Sequence, residues 1–375
     1  MNFGFTEEQE LLRREVRKFL DEKGPLEEVR KWMETPNGFS RELWKQLGEL
    51  GWIGLTLPED HGGAGLGWVD LTVVLEEMGR SLFPSPYLAQ TLAAAAICEA
   101  GTPAEQARWL PGLADGSRIA TLAVVEADGR LDAEGLRVAG RPADGGYRLK
   151  GEKHQVFDGA AADLLVVAFR SGDAPEAISL AVVDRNAAGV EVEAQPSIDL
   201  TKRVSKVGFR DVAVGPDALL GASDAAWPVV QRLLDRAAAA VVAEAIGAAE
   251  GALQLTADYA KERQQFGTPI GRFQGVKHPL AEMFVDIESF KSLLYYAAWC
   301  LDEGEDARRH VSLAKAYASE AFARIGVDGV QLHGGVGYTW EYDIQLYLKR
   351  SKWVRPTFGD ADFHYDRVAH LGGYA

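Results

Sequence analysis

Two stretches hold side chains whose types and spacing suit binding chemistry. The first, "KERQQFGTPIGRFQGVKHPLAEM" (Lys261–Met283), places Arg263, Gln265, Phe266, Phe273 and Gln274 within twelve residues. A guanidinium grips phosphate with two parallel hydrogen bonds. Phenyl faces pack on planar heterocycles, and side-chain amides read heterocycle edges or sugar hydroxyls. A plainer reading is also open. Arg263 is a cation well placed at a helix C-terminus, and Gly267 is the left-handed residue that follows it. The second stretch, "QLHGGVGYTWEYD" (331–343), sets Gly334, Gly335 and Gly337 just after an expected helix. Glycines let backbone approach a ligand closely and leave N–H groups free for anions. No strand precedes them, so they are not a Rossmann fingerprint. Taken together, the two stretches suit a flat, anionic ligand.

Other chemistries find little support. The seven histidines form no HExxH pair or ligand-spaced cluster, and His278 and His333 fit surface or supporting roles. The chain has no G-x-S-x-G elbow and no phosphate-loop lysine.

The elements that must position these residues fall into three textures. Residues 1–115 read as helices, with Phe5, Leu11, Leu12, Val16 and Leu20 at near-helical spacing. Thr6 and Gln9 are placed to form a capping box. Further helices are expected near 40–50, 68–81 and 86–99, with "LPEDHGGAGLG" as a loop between them. Residues 116–222 consist of short apolar runs such as "IATLAVVE" and "DLLVVAF", separated by Gly, Asp and Asn, and predict a β-sandwich or barrel. Residues 223–375 return to long helical segments, near 225–262, 279–302 and 307–332, which suggest an antiparallel bundle. The expected class is multidomain α+β in the order α, β, α.

Composition narrows the partners. With 375 residues, 47% hydrophobic and 25% charged, the chain can bury a large core. A formal net charge of -15 disfavours nucleic acid and anionic lipid as partners. Two distant cysteines, Cys98 and Cys300, allow no disulfide framework and fit a reducing cytoplasm. The charged "MNFGFTEEQELLRREV" is not a signal peptide, and no apolar run approaches the roughly 18 residues of a membrane span.

The two ligand-binding stretches resemble the acyl-CoA dehydrogenase family. Its R-x-Q-F-G-x-x-I-x-x-F-Q pattern matches at Arg263, Gln265, Phe266, Gly267, Ile270, Phe273 and Gln274. Its Q-x-x-G-G-x-G-Y pattern matches at Gln331, Gly334, Gly335, Gly337 and Tyr338. The stretch "LPEDHGGAGLGWVDLTVVLEEMGR" is similar to the family's N-terminal region. The resemblance implies a helical domain, a β-barrel-like domain and a four-helix bundle. It also implies FAD at a subunit interface, an acyl-CoA substrate and an electron-transfer flavoprotein or similar acceptor. Arg263, Phe266, Gln274, Gln331, Gly334 and Gly335 match residues that reach the adenosine and pyrophosphate end of a neighbouring subunit's FAD, so a homo- or hetero-oligomer is expected.

The chain departs from the family pattern in three places. The flavin-facing T-E-P-x-x-G-S-D loop reads "VVEADGRLD" (124–132), keeping Glu126 and Gly129. K-x-W-I-T-N-G reads "KHQVFDG" (153–159), keeping Lys153 and Gly159. The two positions at which relatives carry the catalytic glutamate hold Phe358 and Ala237. Glu244 lies seven residues beyond Ala237, on nearly the same helix face and among small apolar residues that desolvate a carboxylate. It is the candidate base; a buried glutamate satisfied by a polar partner is the plainer alternative. Asp360 stands where relatives often have a threonine touching FAD. Two functions are therefore expected: an FAD-dependent acyl-CoA dehydrogenase, or a catalytically silent subunit that completes the cofactor site of an unlike partner.

Overall fold

A computed structural model describes residues 4–374. In chain order the principal elements are α1 (Glu7–Lys23), α2 (Leu26–Met33), α3 (Arg41–Glu49), α4 (Trp68–Arg80), α5 (Tyr87–Ala100) and α6 (Pro103–Ala114). The strands β1 (Ala120–Ala123), β2 (Ala139–Ala143), β3 (Gly146–Phe157), β4 (Leu164–Arg170), β5 (Ile178–Asp184), β6 (Val190–Gln195), β7 (Val204–Val214) and β8 (Leu219–Leu220) follow. Then come α7 (Trp227–Glu262), the short strands β9 (Gln264–Gln265) and β10 (Thr268–Pro269), α8 (Gln274–Glu303), α9 (Arg308–His333), α10 (Ile344–Val354) and α11 (Ala361–Leu371). The succession of helices, strands and helices is the one expected from the sequence.

These elements form two compact units. One joins β1–β8 with α3, α5 and α6, over residues 32–67 and 84–236. Its sheet runs β6-β7-β3-β2-β4-β5-β8, with β1 added in parallel beside β4. The expected barrel-like domain is thus an open mixed sheet whose path ends at β6 and β8. The apolar runs "LLVVAF" and "ISLAVV" are buried along their whole length, as strands covered on both faces must be. The edge strand β6 alternates half-buried Val with exposed Glu, as a strand with one face toward solvent does.

The other unit gathers α1, α4, most of α7 and everything after it. Thr6 and Gln9 form the expected capping box at the start of α1. Arg13 and Arg17 tie α1 to Glu76 and Glu77 of α4. The alanine-rich middle of α7 crosses α4 at very short range. A Cβ on Gly247 would overlap the Glu76 carbonyl, and one on Gly79 would overlap that of Glu244. Small side chains are what allow two helix backbones to come this close. By length and composition α7 is the one described helix apolar enough to cross a membrane, and most of that stretch is buried inside the protein. Its apolar surface is used in packing against neighbouring helices.

Candidate cofactor site

The opening motif is a β-hairpin. α7 stops at Glu262, and the chain then pairs Gln265 with Thr268 and Gln264 with Pro269. The two residues between them, Phe266 and Gly267, have φ of 54° and 75°. Left-handed values at both central positions are the mark of a primed hairpin turn. Gly267 is therefore the second residue of this turn and not the helix cap that the sequence suggested. Phe266 occupies a conformation that costs a side chain roughly 1–2 kcal/mol. It is also 93% exposed, its ring edge-on to that of Phe273 at 6.0 Å. Strain and exposure in one phenylalanine are what a ligand or partner surface requires and what a monomer core does not.

Arg263 roots the hairpin. Its N–H donates to the Tyr259 carbonyl at 2.8 Å, and its own carbonyl accepts from the Ile270 N–H at 2.9 Å. Its exposed guanidinium has no hydrogen bond or ion pair among the described residues. Gln265 donates to the adjacent Gln264 carbonyl at 2.8 Å. Gln274 is exposed at the first position of α8. That helix begins one turn earlier than expected, so His278 lies within it.

The glycine bend closes α9. Gly334 has φ 67° and ψ -146°, a region open essentially only to glycine. A Cβ on Gly334 or Gly335 would meet open space, with no atom of the described residues within 4 Å of it. Gln331 and Tyr338 are exposed beside them. Further along, Arg30 pairs with Asp343 at 2.8 Å and lies over the Trp340 ring, which Lys349 also approaches.

The two motifs meet through Tyr259. Its ring stacks on that of His333 at 4.4 Å, and its hydroxyl donates to the His333 carbonyl at 3.3 Å. Tyr259 lies one turn before Arg263, and His333 directly precedes Gly334. The two motifs are thus joined at their bases: one carries an uncommitted guanidinium, two exposed phenyl rings and the exposed Gln274 amide, the other the exposed Gln331 amide and a bend without side chains. That set fits a purine nucleotide with a diphosphate. Sequence reading gave His333 only a minor role and did not single out Tyr259. Its signal was the four-residue spacing to Arg263, which puts both on one helix face.

The two candidate carboxylates sit elsewhere in this unit. Glu244 is 3% exposed, with Oε2 3.4 Å from Nη1 of Arg350, which is 1% exposed. The side chain that was expected to work as a base faces a buried guanidinium of α10. This geometry is the plainer alternative set out for it, a buried glutamate satisfied by a polar partner. Asp360 is exposed and caps α11, its Oδ1 accepting from the Phe363 N–H at 2.9 Å. It follows two left-handed residues, Phe358 and Gly359. Lys315 Nζ donates to the Gly359 carbonyl at 2.7 Å, and His364 Nε2 to the Phe358 carbonyl at 3.0 Å. Burial lowers the Lys315 ammonium to about 7 and His364 to about 3. Lys315 also went unnoticed in the sequence, although a lone lysine in "VSLAKAYASEAFA" marks a buried cation with a structural task.

In the sheet-containing unit, two isolated family matches turn out to be one interaction. Lys153 is fully buried and donates to Glu126 Oε1 at 2.7 Å and to the Val124 carbonyl at 2.9 Å. The same Glu126 oxygen accepts from the N–H groups of Arg137 and Val138. Burial lowers the Lys153 ammonium to about 8. The pair fixes the loop 124–132 to β3 and to the start of β2.

Comparisons with known proteins identify the family. Family profiles described as "Acyl-CoA dehydrogenase, N-terminal domain" and "Acyl-CoA dehydrogenase, C-terminal domain" match residues 6–117 and 226–371. The chain is 33% identical to acyl-CoA dehydrogenase IpdE2 of Mycolicibacterium smegmatis, over 92% of this chain and 93% of that one. Among solved structures, it is similar to the ChsE4-ChsE5 complex from Mycobacterium tuberculosis, with TM-score 0.92, 30% identity and full coverage of both chains. It is also similar to a protein described as an FAD-dependent dehydrogenase, with TM-score 0.91, 29% identity and full coverage of both. A match of this extent, in sequence and in fold, shows that the chain belongs to the acyl-CoA dehydrogenase family.

Proposed function

We propose that this chain is a subunit of an FAD-dependent acyl-CoA dehydrogenase that converts an acyl-CoA thioester to the trans-2-enoyl-CoA. The observation that carries the reading is the meeting of the Arg263–Gln274 hairpin region with the Gly334–Gly335 bend. Arg263 would hold the pyrophosphate, and the bend at Gly334 and Gly335, open where a Cβ would stand, would let that group approach the backbone closely. Phe266 and Phe273 pack on the adenine ring. Gln265, Gln274 and Gln331 would hydrogen-bond adenine edges or ribose hydroxyls, and the exposed Asp360, which caps α11, is a further candidate contact. All these groups face outward from one chain, which suits a cofactor shared with a second subunit. The flavin, when bound, supplies the hydride acceptor. Reoxidation then falls to an electron-transfer flavoprotein or a similar acceptor.

Proton removal from the substrate's α-carbon needs a carboxylate. Glu244 is our candidate for it, and its burial against Arg350 favours a second reading. In that reading Glu244 is a packing ion pair, and the chain completes the FAD site of an unlike partner that does the chemistry. The similar ChsE4-ChsE5 structure is a complex of two differently named chains.

The visible spectrum of the purified chain tests both readings. Bound flavin that bleaches on adding an acyl-CoA supports dehydrogenation by this chain. A colourless protein that takes up FAD only with a second, unlike chain supports the other. Failure to bind FAD in either setting overturns both. Glu244→Gln then addresses the base: retained flavin with lost bleaching assigns the proton transfer to Glu244, and unchanged bleaching removes it.

A further inference from the structure

Tyr259 makes two side-chain contacts across to the other half of the site and one backbone contact within its own. Its carbonyl accepts the Arg263 N–H at 2.8 Å, its ring stacks on His333 with an interplanar angle of 26°, and its hydroxyl reaches the His333 carbonyl. Tyr342 closes the cluster, edge-on to Tyr259 at 5.9 Å and to His333 at 5.1 Å. His333 is itself immobilised. It is 3% exposed, and its Nδ1–H donates to the Gly329 carbonyl at 2.7 Å, one turn back along α9. That bond places the lone pair on Nε2, which has no hydrogen-bond partner among the described residues. Burial lowers the His333 pKa and so favours this neutral form.

Tyr259 and His333, which flank the hairpin and the bend, are 74 residues apart in the chain. The hairpin and the bend each carry a left-handed residue at the centre, Phe266 in one and Gly334 in the other. A ligand that engages a guanidinium on one segment and packs on the side-chain-free backbone of the other binds well only if their spacing is set beforehand, because ordering them at the moment of binding subtracts from affinity.

We infer that Tyr259 and His333 are positioning residues: their stacked rings set the spacing between the Arg263 guanidinium and the Gly334–Gly335 bend, and so pre-organise the site for a nucleoside diphosphate group. The inference rests on the cofactor reading above and goes beyond it, since neither ring is among the groups assigned to touch the ligand.

The test is FAD affinity of the purified protein, or of its complex with the partner chain if uptake needs one, in a double-mutant cycle. Tyr259→Leu is expected to raise the FAD Kd about tenfold. Tyr259→Phe, which keeps the stack, is expected to stay within about threefold of the parent. In an Arg263→Ala background, Tyr259→Leu is expected to add little, because the ring acts through the arginine's placement. A tenfold loss of equal size in both backgrounds overturns the inference, and so does a loss from Tyr259→Phe as large as that from Tyr259→Leu. If Tyr259→Leu does not fold, His333→Leu breaks the same stack from the other side. Unchanged FAD affinity in Arg263→Ala alone defeats the cofactor reading. A loss in Arg263→Ala with none in Tyr259→Leu defeats only the positioning role.

Discussion

The middle of α7 and the chain just beyond its end treat charge in opposite ways. Glu244, in the middle, lies within a few ångströms of the Arg350 guanidinium, and both are sealed from water. Arg263, one residue past the end, stands exposed with no partner among the described residues. A buried charge must be compensated inside the protein or the fold loses several kcal/mol. An exposed charge is solvated by water and stays available for something that arrives later. The difference teaches that a charged residue in a suggestive sequence position is a ligand-binding candidate only while the fold leaves it uncommitted.

The contrast can be broken or sharpened by substitution. The largest effect is expected from Arg350→Met, which removes the guanidinium opposite Glu244 and should cost about 3–5 kcal/mol of unfolding free energy. Urea titration measures it, and the double replacement Glu244→Leu with Arg350→Met should recover most of the loss. Arg263→Ala should do the reverse. Stability stays within about 0.5 kcal/mol, while FAD affinity falls about 10- to 100-fold, the worth of charge-assisted bonds to phosphate. A comparable loss of stability in Arg263→Ala would show that this arginine is committed to the fold after all. Gly334→Ala places a side chain in a glycine-only conformation with no neighbour to strike, so its cost should be backbone strain alone, about 1–3 kcal/mol. Phe266→Gly is the smallest and most pointed. Relief of the left-handed strain should leave the protein as stable or up to about 1 kcal/mol more so, while FAD retention declines. Opposite signs in stability and binding at one residue are the pattern of a site maintained for a ligand.

Local signals made much of the molecule legible. The capping pair Thr6 and Gln9, the continuous apolar runs of β4 and β5, and the motif residues from Arg263 to Gln274 all depend on neighbours a few positions away. The turn at Phe266 misled, because a glycine after a helix looks the same whether it caps that helix or completes a hairpin. Glu244 was only partly legible. Its small neighbours correctly announced burial, but its partner sits 106 residues away on another helix, and no local pattern reveals a contact of that range. Glu126 and Lys153 read as scattered remnants of two motifs until the sheet set them 2.7 Å apart.

Side-chain chemistry and spacing alone determined the succession of helices and strands, and resemblance added the family and the residues suited to grip a nucleotide. Both properties are written over short ranges, where propensity, periodicity and motif act. Only the tertiary structure decided which of the charged groups are free. The packing of α10 on α7, where Tyr347 approaches Gly251, brought Arg350 to Glu244, and the stacking of Tyr259 on His333 joined the hairpin to the glycine bend. Availability depends on burial and on partners from distant segments, and those exist only once the chain has packed.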